Sequence, residues 1–352
     1  MIRKSIAAEA KRRRRPRRAS VRLEDVALEA GVSPITVSRA LTAPDKVSWE
    51  TRQRVVAAVA STGYIVNSLA STLKSGHSKI VTVFVANLQN PHISTILRGI
   101  IDAFHGSSFS LMFAQTEWLD EVSTQTIESV LSFRPAGMIF SGVGVGKEIR
   151  RTLINLDLPT VQIGSVTHPI DVLVELPSYE AGWLMGQHLS GRGFGRIAFC
   201  GHTVGHGTAR LDGFRAALAT FGSAPALVLP IEGTQSVSDG IASLREIFAR
   251  LPECDAIFYG SDLLALGALI EARRLGIDVP GELAIAGYGD LDFSSRVDPP
   301  LTTIRVSEYE VGRIAGDVLR RRIEGHAGDA PVVKIPLSLE VRQSTARGRK
   351  PG

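Results

Sequence analysis

The sequence predicts two folded parts: a small all-α domain near the N-terminus, then a larger α/β domain of two lobes, each built on a parallel sheet. Pattern and charge both predict it. Residues 23–62 hold three short stretches with helical apolar spacing, separated by Gly and Ser, whereas from Lys79 β-branched apolar runs alternate with helical stretches. Charge divides the chain at the same place. Met1–Gly76 carries 15 Lys/Arg and 6 Asp/Glu, a net of +9, while the remainder carries 25 and 29, a net of −4. At roughly 100–200 residues per domain, 352 residues allow two or three units.

Residues 1–19 read as a basic arm. Lys11-Arg12-Arg13-Arg14-Arg15-Pro16-Arg17-Arg18 has no apolar face to bury and repels itself. Contact with phosphates and a merely solvated tail are both open readings. In Leu23–Leu41, Val26, Ala27 and Ala30 share one helical face. Gly31 falls where a helix must end in the left-handed region, Ser33 can cap the next helix, and Pro34 suits its first turn. Val37, Ala40 and Leu41 form the buried face of that second helix, and Thr51–Thr62 supports the pair. This is the pattern of a helix-turn-helix. Residues 64–76 are short and polar, a linker by composition.

The α/β part follows in order. Ile80–Ala86 is a buried strand, Pro91–Phe104 a helix, Phe109–Ala114 a strand and Asp120–Ser132 a helix. Gly137–Ser141 and Thr160–Ile163 are strands with a helix at Lys147–Asn155 between them. A second series starts with helix Ser178–Ser190 and strand Arg196–Cys200. It continues through helix Ala209–Phe221, strand Ala226–Leu229, helix Val237–Arg250, strand Ala256–Tyr259, helix Leu263–Leu275 and strand Leu283–Gly287. Repeated βα units imply parallel sheets with helices on both faces, and two series imply two lobes with a cleft at the carboxyl ends of the strands.

The residues left facing out of the second helix suit DNA. The first turn of a recognition helix enters the major groove. Arg39 can donate two hydrogen bonds to a guanine edge, and Ile35 can touch a thymine methyl. Ser33, Thr36 and Ser38 can reach phosphates, and Pro34 starts the exposed turn. The local net charge of +9 points to the same polyanion.

These residues carry a resemblance. Asp25-Val26-Ala27, Ala30-Gly31-Val32-Ser33, Thr36 to Leu41, Val47-Ser48, Thr51-Arg52 and Gly63-Tyr64-Ile65 with Asn67 and Ala70 resemble the lactose/galactose repressor (LacI/GalR) family. The likeness continues to about Ser344. It implies a helix-turn-helix domain at 20–66, a hinge helix at 67–77, a two-lobed periplasmic-binding-protein-like domain for effector binding and dimerisation at 78–345, and a tail at 346–352. It implies a hinge helix formed on operator DNA, capped by Asn67, with Leu73 wedged into the minor groove; an ordinary linker leucine is the other reading. Leu69 and Leu73, four apart, would share one face. Val66 departs from the family's usual proline.

In the two-lobed part the resemblance rests on Asn90-Pro91, Arg210-Leu211-Asp212-Gly213-Phe214, Ser261 to Gly267, Ala286 to Asp290 and Pro300 to Arg305. It implies that Arg210 and Ser261 line the effector cleft, with Asn90, His92, Ser141, Asp262, Tyr288 and Gly289 as further effector-binding residues. Gly289 stands where sugar-binding members often carry Asp, and Pro177-Ser178 where many carry Asp-Asn. Losing two acceptor carboxylates removes repulsion against an anion, while Arg210 remains to pair with one. The runs Glu282–Gly287 and Tyr288-Gly289-Asp290 look most like the gluconate-operon repressors of the family. The expected effector is therefore a sugar acid such as gluconate. Arg210 pairing inside its own lobe, with Asp212 or Asp262, is the alternative.

Other signals carry less. Ser141–Lys147 lacks P-loop spacing, and Gly191–Gly195 precedes a strand instead of following one. His202 and His206 are read as loop residues among Gly201, Gly205 and Gly207, not as metal ligands. No catalytic constellation, cofactor or metal site is expected. Cys200 and Cys254 lie in or beside strand-like runs and read as buried free thiols of a reducing cytoplasm. No apolar run reaches about eighteen residues, so no membrane span is expected. A solute-binding protein would need an export signal, and a sugar-metabolising enzyme a phosphate loop or catalytic acid. The expected partners are double-stranded operator DNA, a small effector and a second copy in a homodimer; the tail Thr345–Gly352 carries no leucine heptad for higher assembly.

Overall fold

The computed structural model describes residues 21–64, 78–88, 90–116, 121–166, 168–326 and 331–346. The basic arm, Asn67, Leu73 and the last six residues lie outside them. The chain separates into two compact units, dividing after residue 74.

Among the described residues the first unit has three helices, α1 (Leu23–Ala30), α2 (Pro34–Thr42) and α3 (Trp49–Thr62), with a single 3₁₀ turn at Pro44–Lys46. Its core is small: Val26, Ala27, Ala30, Val37, Ala40, Val55 and Ala58 are buried. Gly31 takes φ 62°, the left-handed conformation that lets the chain leave α1 and enter α2 at once. The Arg54 guanidinium on α3 closes that turn, donating to the carbonyls of Ala30 (2.5 Å) and Gly31 (3.0 Å).

The second unit holds two six-stranded sheets. The first contains β1 (Ile80–Val85), β2 (Ser110–Gln115), β3 (Gly137–Ser141), β4 (Thr160–Gly164), β5 (Val172–Glu175) and β11 (Val332–Lys334), ordered β11-β5-β4-β3-β1-β2 and parallel throughout. The second contains β6 (Ile197–Gly201), β7 (Leu227–Pro230), β8 (Ala256–Tyr259), β9 (Ala284–Gly289), β10 (Thr302–Val306) and β12 (Leu337–Glu340), ordered β12-β10-β9-β8-β6-β7. It is parallel except for β12 against β10.

Helices cover both faces of each sheet. Around the first are α4 (Pro91–Ala103), α5 (Thr124–Leu131), α6 (Lys147–Asn155) and α11 (Glu308–Ile323). Around the second are α7 (Ser178–Gly191), α8 (His206–Ala219), α9 (Val237–Arg250) and α10 (Asp262–Leu275). The period-two alternation of strands decides which core each residue joins. In β3, Met138 and Phe140 pack with α5 and α6, where Phe140 stacks on Phe84 at 4.8 Å, while Ile139 faces the other way. In β8, Ile257 and Tyr259 meet α9 and α10, and Ala256 and Phe258 meet α7 and α8.

Three helix pairs touch backbone to backbone through glycine. A methyl at Gly99 or Gly312 would overlap the backbone of the facing helix in the α4–α11 pair. The same holds for Gly182 and Gly213 in α7–α8, and for Gly240 and Gly267 in α9–α10. The chain passes between the sheets three times: after β5, after β10, and between β11 and β12.

The expected series differs from the fold at several places. The helix placed at Asp120–Ser132 begins only at Thr124, where Ser123 caps it; Glu121 instead bridges Gly144. The helix placed from Ala209 begins at His206, so His206 is not a loop residue. Strand β5, and everything from β10 onward, extends the series beyond the two runs read from sequence. Cys200 and Cys254 are buried free thiols, and burial pushes each up to about 12.

Candidate functional site

In the helix-turn-helix unit, Ser33 caps α2. Its hydroxyl accepts from the Thr36 N–H at 3.2 Å and pairs with the Thr36 hydroxyl at 2.8 Å. Thr36 is half-buried and partnered, whereas Ser33, Pro34, Ile35, Ser38 and Arg39 are exposed. Ile35 is 70% exposed, a large apolar side chain that no described residue of its own unit covers. Trp49, 75% exposed on the first residue of α3, is a second such side chain that the sequence reading passed over.

In the second unit a cavity of about 130 Å³ opens where the carboxyl ends of both sheets face one another. Five helices begin there, through Asn90 and His92 (α4), Ser178 (α7), His206 (α8), Ser261 (α10) and Glu308 (α11). The positive dipole ends of these helices favour a negative ligand. Asn90 caps α4, accepting from the His92 N–H at 3.0 Å, and Ser261 caps α10, accepting from Leu263 N–H at 3.2 Å. Ser141, at the end of β3, is 1% exposed and lines the wall.

Arg210 is 8% exposed. One terminal nitrogen donates to the Gly260 carbonyl at 2.6 Å, and the guanidinium lies 3.5 Å from the centre of the Tyr288 ring. Its Nε is buried without a hydrogen-bond partner, and no carboxylate pairs with it among the described residues. Burial lowers its pKa, the mark of a cation short of compensation.

Two histidines reach across the cleft. His206, from the second lobe, lies over Gly164 of the first, where a methyl would stand 2.8 Å from its Nε2. Its Nδ1 accepts from the Ser165 N–H at 3.2 Å, so Nε2 carries the hydrogen. Burial, then the Arg210 charge, lower its pKa to about 4. His92, from the first lobe, lies over Gly289 of the second and bonds Glu308 through Nδ1. Burial works against its charged form, but the Glu308 carboxylate outweighs it and the pKa is raised. Asn87 and Thr234 add a cross-cleft hydrogen bond of 2.7 Å.

Of the eight effector-site residues named from sequence, Asn90, His92, Ser141, Arg210, Ser261 and Tyr288 line this cavity. Asp262 does not. Fully buried, it accepts from the Ser294 hydroxyl (2.5 Å), the Thr303 hydroxyl (2.6 Å) and the Leu291 N–H (3.0 Å). Those bonds turn it into the second lobe, which also excludes its pairing with Arg210. Gly289 does not line the wall either; its missing side chain is what leaves room for the His92 ring. Ser178, His202, His206, Gln235 and Glu308 line the cavity and were not anticipated as binding residues. For His202 and His206 the sequence signal is their position just after strand β6, at the carboxyl end where ligands bind. Among the described residues no His/Cys/Asp/Glu cluster fits a metal, and no helix is long and apolar enough to cross a membrane.

Known proteins share both units. The family signature "Bacterial regulatory proteins, lacI family" matches residues 22–67, and "Periplasmic binding protein-like domain" matches residues 187–345. The HTH-type transcriptional regulator GntR of Escherichia coli (strain K12) is 30% identical over 319 residues, 90% of this chain and 96% of that protein. A LacI-family transcriptional regulator structure from Silicibacter pomeroyi superposes with a TM-score of 0.87 at 27% identity, covering 93% of this chain and all of that one. The lac repressor dimer bound to operator and the anti-inducer ONPF superposes with a TM-score of 0.80 at 25% identity, covering 93% and 99%.

Proposed function

The chain belongs to the LacI family of DNA-binding transcriptional regulators, and from that premise we propose that it is a cytoplasmic homodimeric repressor whose operator affinity is set by a sugar acid such as gluconate. The observation that carries the effector class is Arg210. A buried guanidinium with no carboxylate partner is costly to keep, and an anion entering the cavity offsets that cost. Among the described residues the one carboxylate lining the cavity is Glu308, and it is engaged by His92. The unpartnered Ser178 hydroxyl and Gln235 amide offer hydrogen bonds to the hydroxyls of the same ligand.

On the DNA side, Ile35 and Arg39 read base edges, while Ser33, Pro34, Thr36 and Ser38 set the first turn of α2 against the backbone. Thr36 acts mainly through Ser33, because their hydroxyls are paired. Asn67 and Leu73 act in the hinge. A two-fold dimer presents two such helices to a palindromic operator. The effector changes operator affinity to the extent that it prefers one arrangement of the lobes, and operator DNA changes effector affinity by the same factor.

Calorimetric titration with gluconate and glucose tests the effector class. Binding of gluconate with glucose silent supports it, and binding of glucose alone refutes it. Gel shifts on an operator-like palindrome should weaken steeply with salt, and operator affinity should change when gluconate is added.

A further inference from the structure

We propose that His92, positioned by Glu308, is the second cationic half of the seat for the effector carboxylate, so that Arg210 grips the carboxylate from one lobe and protonated His92 from the other. The proposal rests on the sugar-acid reading and deepens it. His92 is the second residue of α4, on the first lobe, yet its ring lies over Gly289 at the end of β9 in the second. A Cβ at Gly289 would overlap the ring carbon Cε1 and stand 3.0 Å from Nε2 and 3.1 Å from Nδ1. The preceding residue of β9 is Tyr288, over whose ring the Arg210 guanidinium lies. Both His92 and Arg210 line the one cavity, and the Arg210 charge is felt at the His92 ring, so the two cationic groups share one seat.

Each presents a nitrogen with nothing to bond. His92 Nε2 and Arg210 Nε are both buried, and among the described residues neither has a hydrogen-bond partner. One carboxylate has two oxygens and satisfies both donors at once. Glu308 fixes which nitrogen is left over: by binding Nδ1 at the first residue of α11, it leaves Nε2 to the cavity.

The same pair sets the charge. Glu308 from α11 and Asp262 from α10 favour the imidazolium, while Arg210 from α8 opposes it; Tyr288 is the titratable neighbour on β9. An arriving carboxylate adds one more negative charge beside Nε2 and draws the proton on more firmly. Effector binding is therefore linked to proton uptake by His92, and affinity falls as the pH rises through the His92 titration.

The test is calorimetry of the full chain with gluconate, and with glucose as the neutral control, between about pH 6 and about pH 9, in two buffers of different ionisation enthalpy. Wild-type protein should lose about tenfold or more of its gluconate affinity towards the alkaline end and take up protons on binding. His92→Gln should bind gluconate about tenfold more weakly at the acid end, with a flat pH profile. Glu308→Gln should move the loss of affinity to lower pH, which a merely structural role would not do. Selective gluconate binding by wild type with no pH dependence and no proton uptake overturns the role of His92 and leaves the sugar-acid reading standing. Gluconate bound no better than glucose overturns both. Should either variant fail to fold, the wild-type pH profile and proton count still decide.

Discussion

Gly182→Ala separates close helix packing from mere helix propensity. A methyl at residue 182 on α7 would overlap the Arg210 carbonyl oxygen and lie 2.8 Å from both the Arg210 carbonyl carbon and the Phe214 nitrogen of α8. The oxygen sets the demand: it would lie 1.8 Å from the methyl, where an ordinary C···O approach is about 3.3 Å or more, so the pair must part by about 1.5 Å and forfeits half or more of the dispersion energy along the seam. Overpacking of this kind costs about 1–3 kcal/mol or more, while alanine returns up to about 1 kcal/mol of helix propensity. We expect a net loss of about 2 kcal/mol. Gly191→Ala, at the end of the same helix, meets nothing within 4 Å. It should be neutral or stabilise by up to about 1 kcal/mol. Urea unfolding of the two variants should therefore differ by about 2–3 kcal/mol, and their melting temperatures by about 4–12 °C. Gluconate affinity should fall only for Gly182→Ala, because the displaced carbonyl belongs to Arg210. Equal stability of the two variants, to within about 0.5 kcal/mol, would refute the reasoning.

Arg210→Met should weaken gluconate binding about 100-fold or more by calorimetry, yet leave the ligand-free protein as stable as wild type or more so, since the removed cation has no buried counter-ion. A clear loss of ligand-free stability would count against the anion seat. Arg39→Ala should relax base preference at one operator position by about 1–3 kcal/mol, read by competition gel shifts across single-base operator variants. A uniform loss across all variants would make Arg39 a phosphate contact. His206 is held neutral, with a pKa of about 4 against 6.5 for the free side chain. Below pH 6.5 the unfolded chain takes up a proton that the folded one refuses. Stability is thus full above that pH and falls by up to about 3 kcal/mol as the pH drops towards 4. His206→Gln should flatten this slope in urea titrations at stepped pH, and an unchanged slope would place the proton elsewhere.

Much of the fold was legible because strand and helix periods differ and each unit repeats them. Val237–Arg250 and Ala256–Tyr259 fall where the apolar spacing placed them. Strand β5 escaped because four residues ahead of Pro177 carry too little pattern. Nothing local tells that β11 returns to the first sheet and β12 to the second. At the site, Arg210, Ser261 and Tyr288 could be named from linked motifs. Glu308 could not, since 216 positions separate it from His92 and spacing carries no trace of their pairing. Asp262 was misplaced for the converse reason. Its neighbour Ser261 faces the cavity, but in the first turn of α10 the next side chain turns inward to Ser294 and Thr303. Gly289 was noticed as a missing carboxylate, whereas its physical role is the volume given to the His92 ring.

The glycine seams have a mechanical consequence. In α4–α11 and α7–α8, interlocked backbones resist both sliding and splaying, so each pair acts as a stiff bar. The sixteen residues of α11 span about 24 Å, and the bar's inner end carries Glu308. Compliance is left to the three short crossings, at Leu176-Pro177, at Ser307 and at Ile335-Pro336. A pull on His92 or Arg210 would therefore load a whole lobe at once. Any strain at the cavity would leave it as a change in the angle between two stiff blocks, felt at the far end of each bar.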